Sequence, residues 1–257
     1  MENTRVSIIM PSYNSALYIA ESIESIIAQS YTDWELIICD DASSDNTVEI
    51  VEKFIPQDNR IKLLRLLSNQ GAAVARNRAL DYAVGRYIAF CDSDDRWRID
   101  KLAKQLEFMK AKGVKVCYSS YIECNEVGEN MQVVVARKRL TLHEMVNNDY
   151  MGFLTLIYDT QGIGKVSLPA LRKRQDWAMK LQLMQRVQFA MGVLEPLAYY
   201  RVRHDSLSHN KMGLIKYNVM VYREILKWGM LRAWMVMIFN FLPHYFLKRT
   251  LIRLNNR

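Results

Sequence analysis

At 257 residues, half of them hydrophobic, the chain is long enough to bury the core of one large α/β domain, or of a domain with an extension. The formal net charge of +8 invites a nucleic-acid partner, but most of the excess falls after residue 212, where Lys216, Arg223, Lys227, Arg232, Lys248, Arg249, Arg253 and Arg257 face the single acid Glu224. These charges are interleaved with Trp228, Met230, Leu231, Trp234, Met235, Ile238, Phe239 and Phe241, a mixture that disfavours nucleic acid and suits a membrane surface.

The chain opens on a brief apolar run, residues 6–10, that reads as a strand and is too short for a secretory signal, so the protein is expected in the cytoplasm. Residues 16–28 follow as a helix with Ile19, Ile23, Ile26 and Ile27 on one face, and 35–39 as a strand. A helix over 47–54 is expected to start at Asn46 with Glu49 completing a capping box. Residues 61–66 read as strand, 72–83 as a helix ended by Gly85, 87–91 as a buried strand and 100–112 as a helix. Four strand–helix units in sequence predict a mainly parallel, doubly wound sheet with right-handed crossovers.

Beyond residue 112 the pattern loosens. Residues 114–123 and 131–136 read as strands around a turn, 140–147 as a short helix, 162–169 as loop, 176–189 as an amphipathic helix and 197–203 as a closing strand. Cys39, Cys91, Cys117 and Cys124 lack CxxC spacing and are expected as reduced core thiols.

In open parallel sheets, ligands bind at the carboxyl ends of the strands. Those ends carry Pro11-Ser12-Tyr13-Asn14, Asp40-Asp41, Ser68-Asn69-Gln70-Gly71 and Asp92-Ser93-Asp94-Asp95. The last run packs three carboxylates into four positions, which reads either as an ion site or as an acidic turn with a helix cap. No GxGxxG or GxxxxGK[ST] follows any strand, which argues against a dinucleotide dehydrogenase and a P-loop NTPase.

With Val6 to Asn14, Asp40 to Thr47, Asn69-Gln70-Gly71 with Ala75-Arg76-Asn77, and Asp92-Ser93-Asp94-Asp95 with Trp97, the chain resembles a family-two glycosyltransferase of the GT-A fold, over about residues 4 to 210. The resemblance implies a Rossmann-like α/β domain over 1–211, its nucleotide-binding half at 1–112 and its acceptor half at 113–211, followed by a basic helical tail over 212–257. It implies that Asp41 recognises the nucleotide base, that Pro11 and Tyr13 line the base pocket, and that Asn69 and Gly71 let the backbone approach the donor. Arg76 would reach the diphosphate, with Arg78 a rival for that role. Asp94 would bind a divalent cation, manganese or magnesium, with Asp92 and Ser93 beside it toward ribose or metal, Asp95 as the cap of the next turn, and His204 as a third ligand. Relatives supply the base from an acidic pair at a helix start; here the pair reads Gln175-Asp176, which leaves Asp176 as the base.

The implied reaction is inverting transfer of a hexose, glucose or galactose, from a UDP-sugar to an undecaprenyl diphosphate-linked saccharide at the cytoplasmic face of a bacterial inner membrane, in surface polysaccharide synthesis. The tail is too short and interrupted to span a bilayer, and reads either as interfacial helices or as helices packed on the domain. Two other readings are a sugar-phosphate nucleotidyltransferase, which needs a glycine-rich loop that 11–14 lacks, and a non-enzymatic nucleotide- or membrane-binding relative, to which only Gln175 points.

Overall fold

The computed structural model describes residues 4–203 and 214–243. The first half alternates as expected: β1 (Val6–Ser12), α1 (Ile19–Ile27), β2 (Trp34–Asp40), α2 (Thr47–Phe54), β3 (Ile61–Arg65), α3 (Ala72–Tyr82) and β4 (Tyr87–Phe90). After β5 (Arg96–Trp97) and α4 (Lys101–Lys112) come β6 (Val116–Cys124), β7 (Asn130–Val134), β8 (Arg139–Leu140), α5 (Leu142–Asn147), β9 (Ile157–Asp159), α6 (Gln175–Met184) and β10 (Ala190–Arg201). The helices α7 (Leu214–Glu224) and α8 (Met230–Val236) follow, and α8 runs on as a π-helical turn, Met237–Phe241.

These strands form one sheet in the order β3-β2-β1-β4-β9-β6-β10-β5, with β7 on β6 and β8 on β10. Pairings among β1 to β4 are parallel, as is β6 with β10. The short β9 lies antiparallel between β4 and β6 and joins the two halves.

Strand alternation sends side chains to two cores. Val6, Ile8 and Met10 of β1 meet Ile19, Ile23 and Ile26 of α1 on one face, while Ile9 meets the small residues Ala75 and Ala79 of α3 on the other. Gly85 is required by close approach: a Cβ there would lie 2.6 Å from the Arg5 carbonyl oxygen.

Three local expectations change. The Asn46 box does not form; Asp45 Oδ1 instead accepts from Thr47 N at 3.0 Å, and the capping box of the fold lies at Thr141 and Glu144. The closing strand begins at 190 rather than 197, and α6 ends at Met184, because β10 pairs along β6 through two register shifts around Pro196. The C-terminal helices join the core: Val219, Val221, Tyr222, Ala233, Met237 and Phe241 are buried among residues of α5 and α6. The opposite face of α8 and its extension exposes Met230, Leu231, Trp234, Met235, Ile238 and Phe239. No described helix is long and apolar enough to cross a membrane.

Candidate active site

The loops after β1, β2 and β3 are tied together by carboxylates. Asp40 accepts from Ser12 Oγ at 3.1 Å and from Ser43 N at 2.9 Å. Asp41, only 2 % exposed, accepts from Gln70 N and Gly71 N at 2.7 Å each, and each oxygen keeps a further lone pair for a ligand. Gly71, with φ +91°, is the last residue before α3, so the turn that delivers those N–H groups depends on a backbone shape that side chains disfavour. Tyr13 and Asn69 are exposed on the same edge, and Pro11 is buried in β1.

Arg76, one turn into α3, is buried and donates from Nη2 to Asp92 Oδ1 at 2.5 Å. Its guanidinium stands 5.1 Å from the Phe153 ring centroid, and its Nε has no partner among the described residues. Arg78 is exposed and lies over Tyr82, so α3 points one arginine, not two, at the acidic loop. Asn77 clamps the 163–169 loop, donating to the Leu168 carbonyl oxygen and accepting from its N–H, both at 2.8 Å.

Members of the acidic run are not equivalent. The Ser93 hydroxyl turns inward to Ser15 Oγ at 2.7 Å, away from solvent. Asp94 Oδ2 accepts from Arg203 Nη1 at 3.2 Å; burial and the neighbouring Asp92 raise its carboxyl above the ordinary value. Asp95 caps no helix. It is buried and accepts from Arg201 N at 2.9 Å, and burial with Asp94 and Asp92 drives its carboxyl well up. His204 lies outside the described residues.

A cleft of about 410 Å³ opens between α3, the acidic loop, the 149–154 segment and the start of α6. Arg76, Asp92 and Asp95 line it from the first two elements, and Arg172, Lys173, Arg174, Gln175, Asp176 and Lys180 from the last. Pro11, Tyr13, Asp41, Asn69, Gly71, Ser93 and Asp94 sit outside this lining.

Asp176 occupies the second position of α6, with 37 % of its side chain exposed. Burial pushes its carboxyl upward, but Lys180, Arg174, the helix N–H of Trp177 and Arg76 outweigh that and hold it below the usual aspartate value. Lys180, 1 % exposed, donates to Asp149 Oδ2 at 2.7 Å and to the Met151 carbonyl oxygen at 2.8 Å, and lies 3.4 Å from Asp176 Oδ2. The sequence hints at Lys180 through its i,i+4 spacing from Asp176. It offers no sign of Asp149.

The donor set suits a hard divalent cation. Among the described residues no three His, Cys, Asp or Glu side chains converge as a cage. A magnesium or manganese ion held by one or two carboxylates and substrate phosphates needs no such cage, and the Asp94 and Asp95 carboxyls are groups that a cation would neutralise.

The family model for glycosyl transferase family 2 matches residues 7–163. TuaG of Bacillus subtilis (strain 168), named "Putative teichuronic acid biosynthesis glycosyltransferase", is 41% identical over 229 residues, which span 89% of this chain and 91% of that protein. WfgD of Escherichia coli, named UDP-Glc:alpha-D-GlcNAc-diphosphoundecaprenol beta-1,3-glucosyltransferase, is 39% identical over 220 residues, 84% of each chain. The crystal structure of Staphylococcus aureus TarS 1–349 in complex with UDP-GlcNAc shares the fold, with a TM-score of 0.73 at 21% identity over 93% of this chain and 72% of that one.

Proposed function

The chain belongs to glycosyl transferase family 2, and from that premise we propose that it moves a hexose, with inversion, from a UDP-sugar to an undecaprenyl diphosphate-linked amino sugar. Glucose from UDP-glucose is the favoured donor group, a choice supported by the likeness to WfgD. The observation that carries the reading is the shared cleft: the ionised carboxylate of Asp176 faces the same space as the Arg76–Asp92 pair.

Asp176 accepts the proton of the acceptor hydroxyl as that oxygen attacks the anomeric carbon. The carbon–oxygen bond to UDP breaks on the opposite face, and the electron pair leaves with the diphosphate. Arg76, with an unpartnered Nε and a guanidinium fork, meets the departing charge. Asp94 and Asp92 would hold the divalent cation, which when bound stabilises that same charge. Asp41 and the exposed Tyr13, with Pro11, Asn69, Gly71 and the Ser93 backbone, receive the uridine. His204 is retained as a third metal ligand.

The work site is the cytoplasmic face of the inner membrane. Exposed Met230, Leu231, Trp234, Met235, Ile238 and Phe239 fall at helical spacing on one side of α8 and its extension, opposite buried Ala233, Met237 and Phe241. Arg223, Lys227 and Arg232 flank that stripe for anionic headgroups.

The test is a donor panel of UDP-glucose, UDP-galactose and UDP-GlcNAc against GlcNAc diphosphate on a polyprenyl chain. Transfer from one UDP-hexose, with a β-linked product, is expected. Transfer from none, or an α-linked product, would overturn the assignment.

A further inference from the structure

The cleft holds more positive charge than transfer from the donor uses. Arg76 is paired with Asp92, and Lys180 with Asp149 and Asp176. That leaves Arg172, Lys173 and Arg174, three consecutive cations on the cleft lining whose side chains make no hydrogen bond or ion pair among the described residues. Arg174 acts on Asp176 only through space, and its Nε is buried without a partner there. Arg174 also takes the left-handed conformation, φ +63° and ψ +16°, which L-residues adopt only at a cost. The Arg174 guanidinium stands 5.8 Å from the Trp177 and Phe241 ring centroids, and among the described residues no carboxylate neutralises any of the three cations, so the triplet offers uncompensated positive charge to an anion.

We propose that Arg172, Lys173 and Arg174 form the subsite for the acceptor's diphosphate. This rests on the function proposed above, and it follows from the covalent geometry of such an acceptor. Its diphosphate is attached to the anomeric carbon of the same sugar whose hydroxyl attacks. With the hydroxyl at Asp176, the diphosphate lies one sugar ring away, and the triplet precedes Asp176 by two to four residues. The donor diphosphate is served from different elements, by Arg76 on α3 and by the Asp92 to Asp94 loop. Two anionic groups thus enter one cleft and find separate cations, so the acceptor's charge does not compete for the site that must receive UDP. Guanidinium forks bind phosphate oxygens in pairs, and the positive end of the α6 dipole adds to the attraction. An anionic lipid headgroup would offer the same chemistry to the triplet, so the test separates the two sources.

The double variant Arg172→Gln/Lys173→Gln is assayed beside wild type with UDP-glucose and two acceptors, GlcNAc diphosphate on a short polyprenyl chain and an alkyl glycoside of GlcNAc without phosphate. Binding to vesicles of phosphatidylglycerol and phosphatidylethanolamine is measured in parallel. The KM for the diphosphate acceptor is expected to rise about tenfold or more, as for lost charged hydrogen bonds. The KM for the alkyl glycoside, the KM for UDP-glucose and vesicle binding are expected to hold. An unchanged KM for the diphosphate acceptor, or an equal rise for the alkyl glycoside, overturns the subsite. A raised KM for UDP-glucose assigns the triplet to the donor instead, and release from vesicles assigns it to the membrane. Wild-type enzyme that transfers to the alkyl glycoside but never to a diphosphate acceptor removes the proposed acceptor class itself.

Discussion

Lys180 lies one helical turn beyond Asp176, with its Nζ 3.4 Å from the Asp176 carboxylate and 2.7 Å from Asp149. One buried cation therefore ties α6 to the segment that walls the cleft, and it helps hold the Asp176 carboxyl below the usual value while part of that carboxylate stays exposed.

Replacing Lys180 with Met removes that cation and leaves the Asp149 and Asp176 carboxylates facing each other. Loss of one partner from a buried pair costs about 3–5 kcal/mol, so a clear fall in Tm is expected. The catalytic effect separates from folding through the pH profile. In wild type the Asp176 carboxyl titrates below the ordinary aspartate value, so activity and the ion pair's stability persist above that range and fade only as pH drops through the lowered folded value. In the variant the acid limb of kcat/KM moves upward. An acid limb that stays in place would show that Lys180 supports the fold alone.

Transfer is expected to need a divalent ion. Chelation, or Asp94→Ala, should cut transfer by at least about a hundredfold, the scale of a lost electrostatic contact in the transition state, and UDP affinity should rise on adding manganese to wild type but not to the variant. Full activity after chelation would remove the metal from the account.

The apolar stripe gives a cleaner membrane test than deletion, because removal of residues 214–243 would strip Tyr222 and Phe241 from the core around Trp177. Trp234→Asp with Phe239→Asp places charges on exposed positions and should release the protein from anionic vesicles with little change in Tm. Retention on vesicles would place the anchor elsewhere. Phe241→Ala, on the buried face, should instead destabilise by about 3–5 kcal/mol.

The βα half was legible because its isoleucines repeat at helical spacing and its strands end in short polar loops; the order and spacing of those loops carried the family resemblance. The part after residue 112 hid for physical reasons. β9 is three residues long, below what periodicity resolves, and takes its pairing from β4 and β6. In β10, Gly192 keeps its register opposite Tyr118, while register shifts on either side absorb Pro196, so the strand runs through a stretch whose residues favour a break. Within the candidate site, Asp92, Arg76 and Asp176 were legible as residues, but Asp95 read as a cap because sequence does not reveal that β10 passes beside it. Asp149 had no signal, since its role depends on a lysine distant in sequence.

The most direct measurement is steady-state transfer by Asp176→Asn, with UDP affinity determined on the same preparation. The amide keeps the shape and removes the base, so kcat should fall by roughly a hundred- to ten-thousandfold while UDP binds as in wild type. A variant that transfers at the wild-type rate, or one that loses UDP binding along with turnover, would contradict the placement of the base at Asp176.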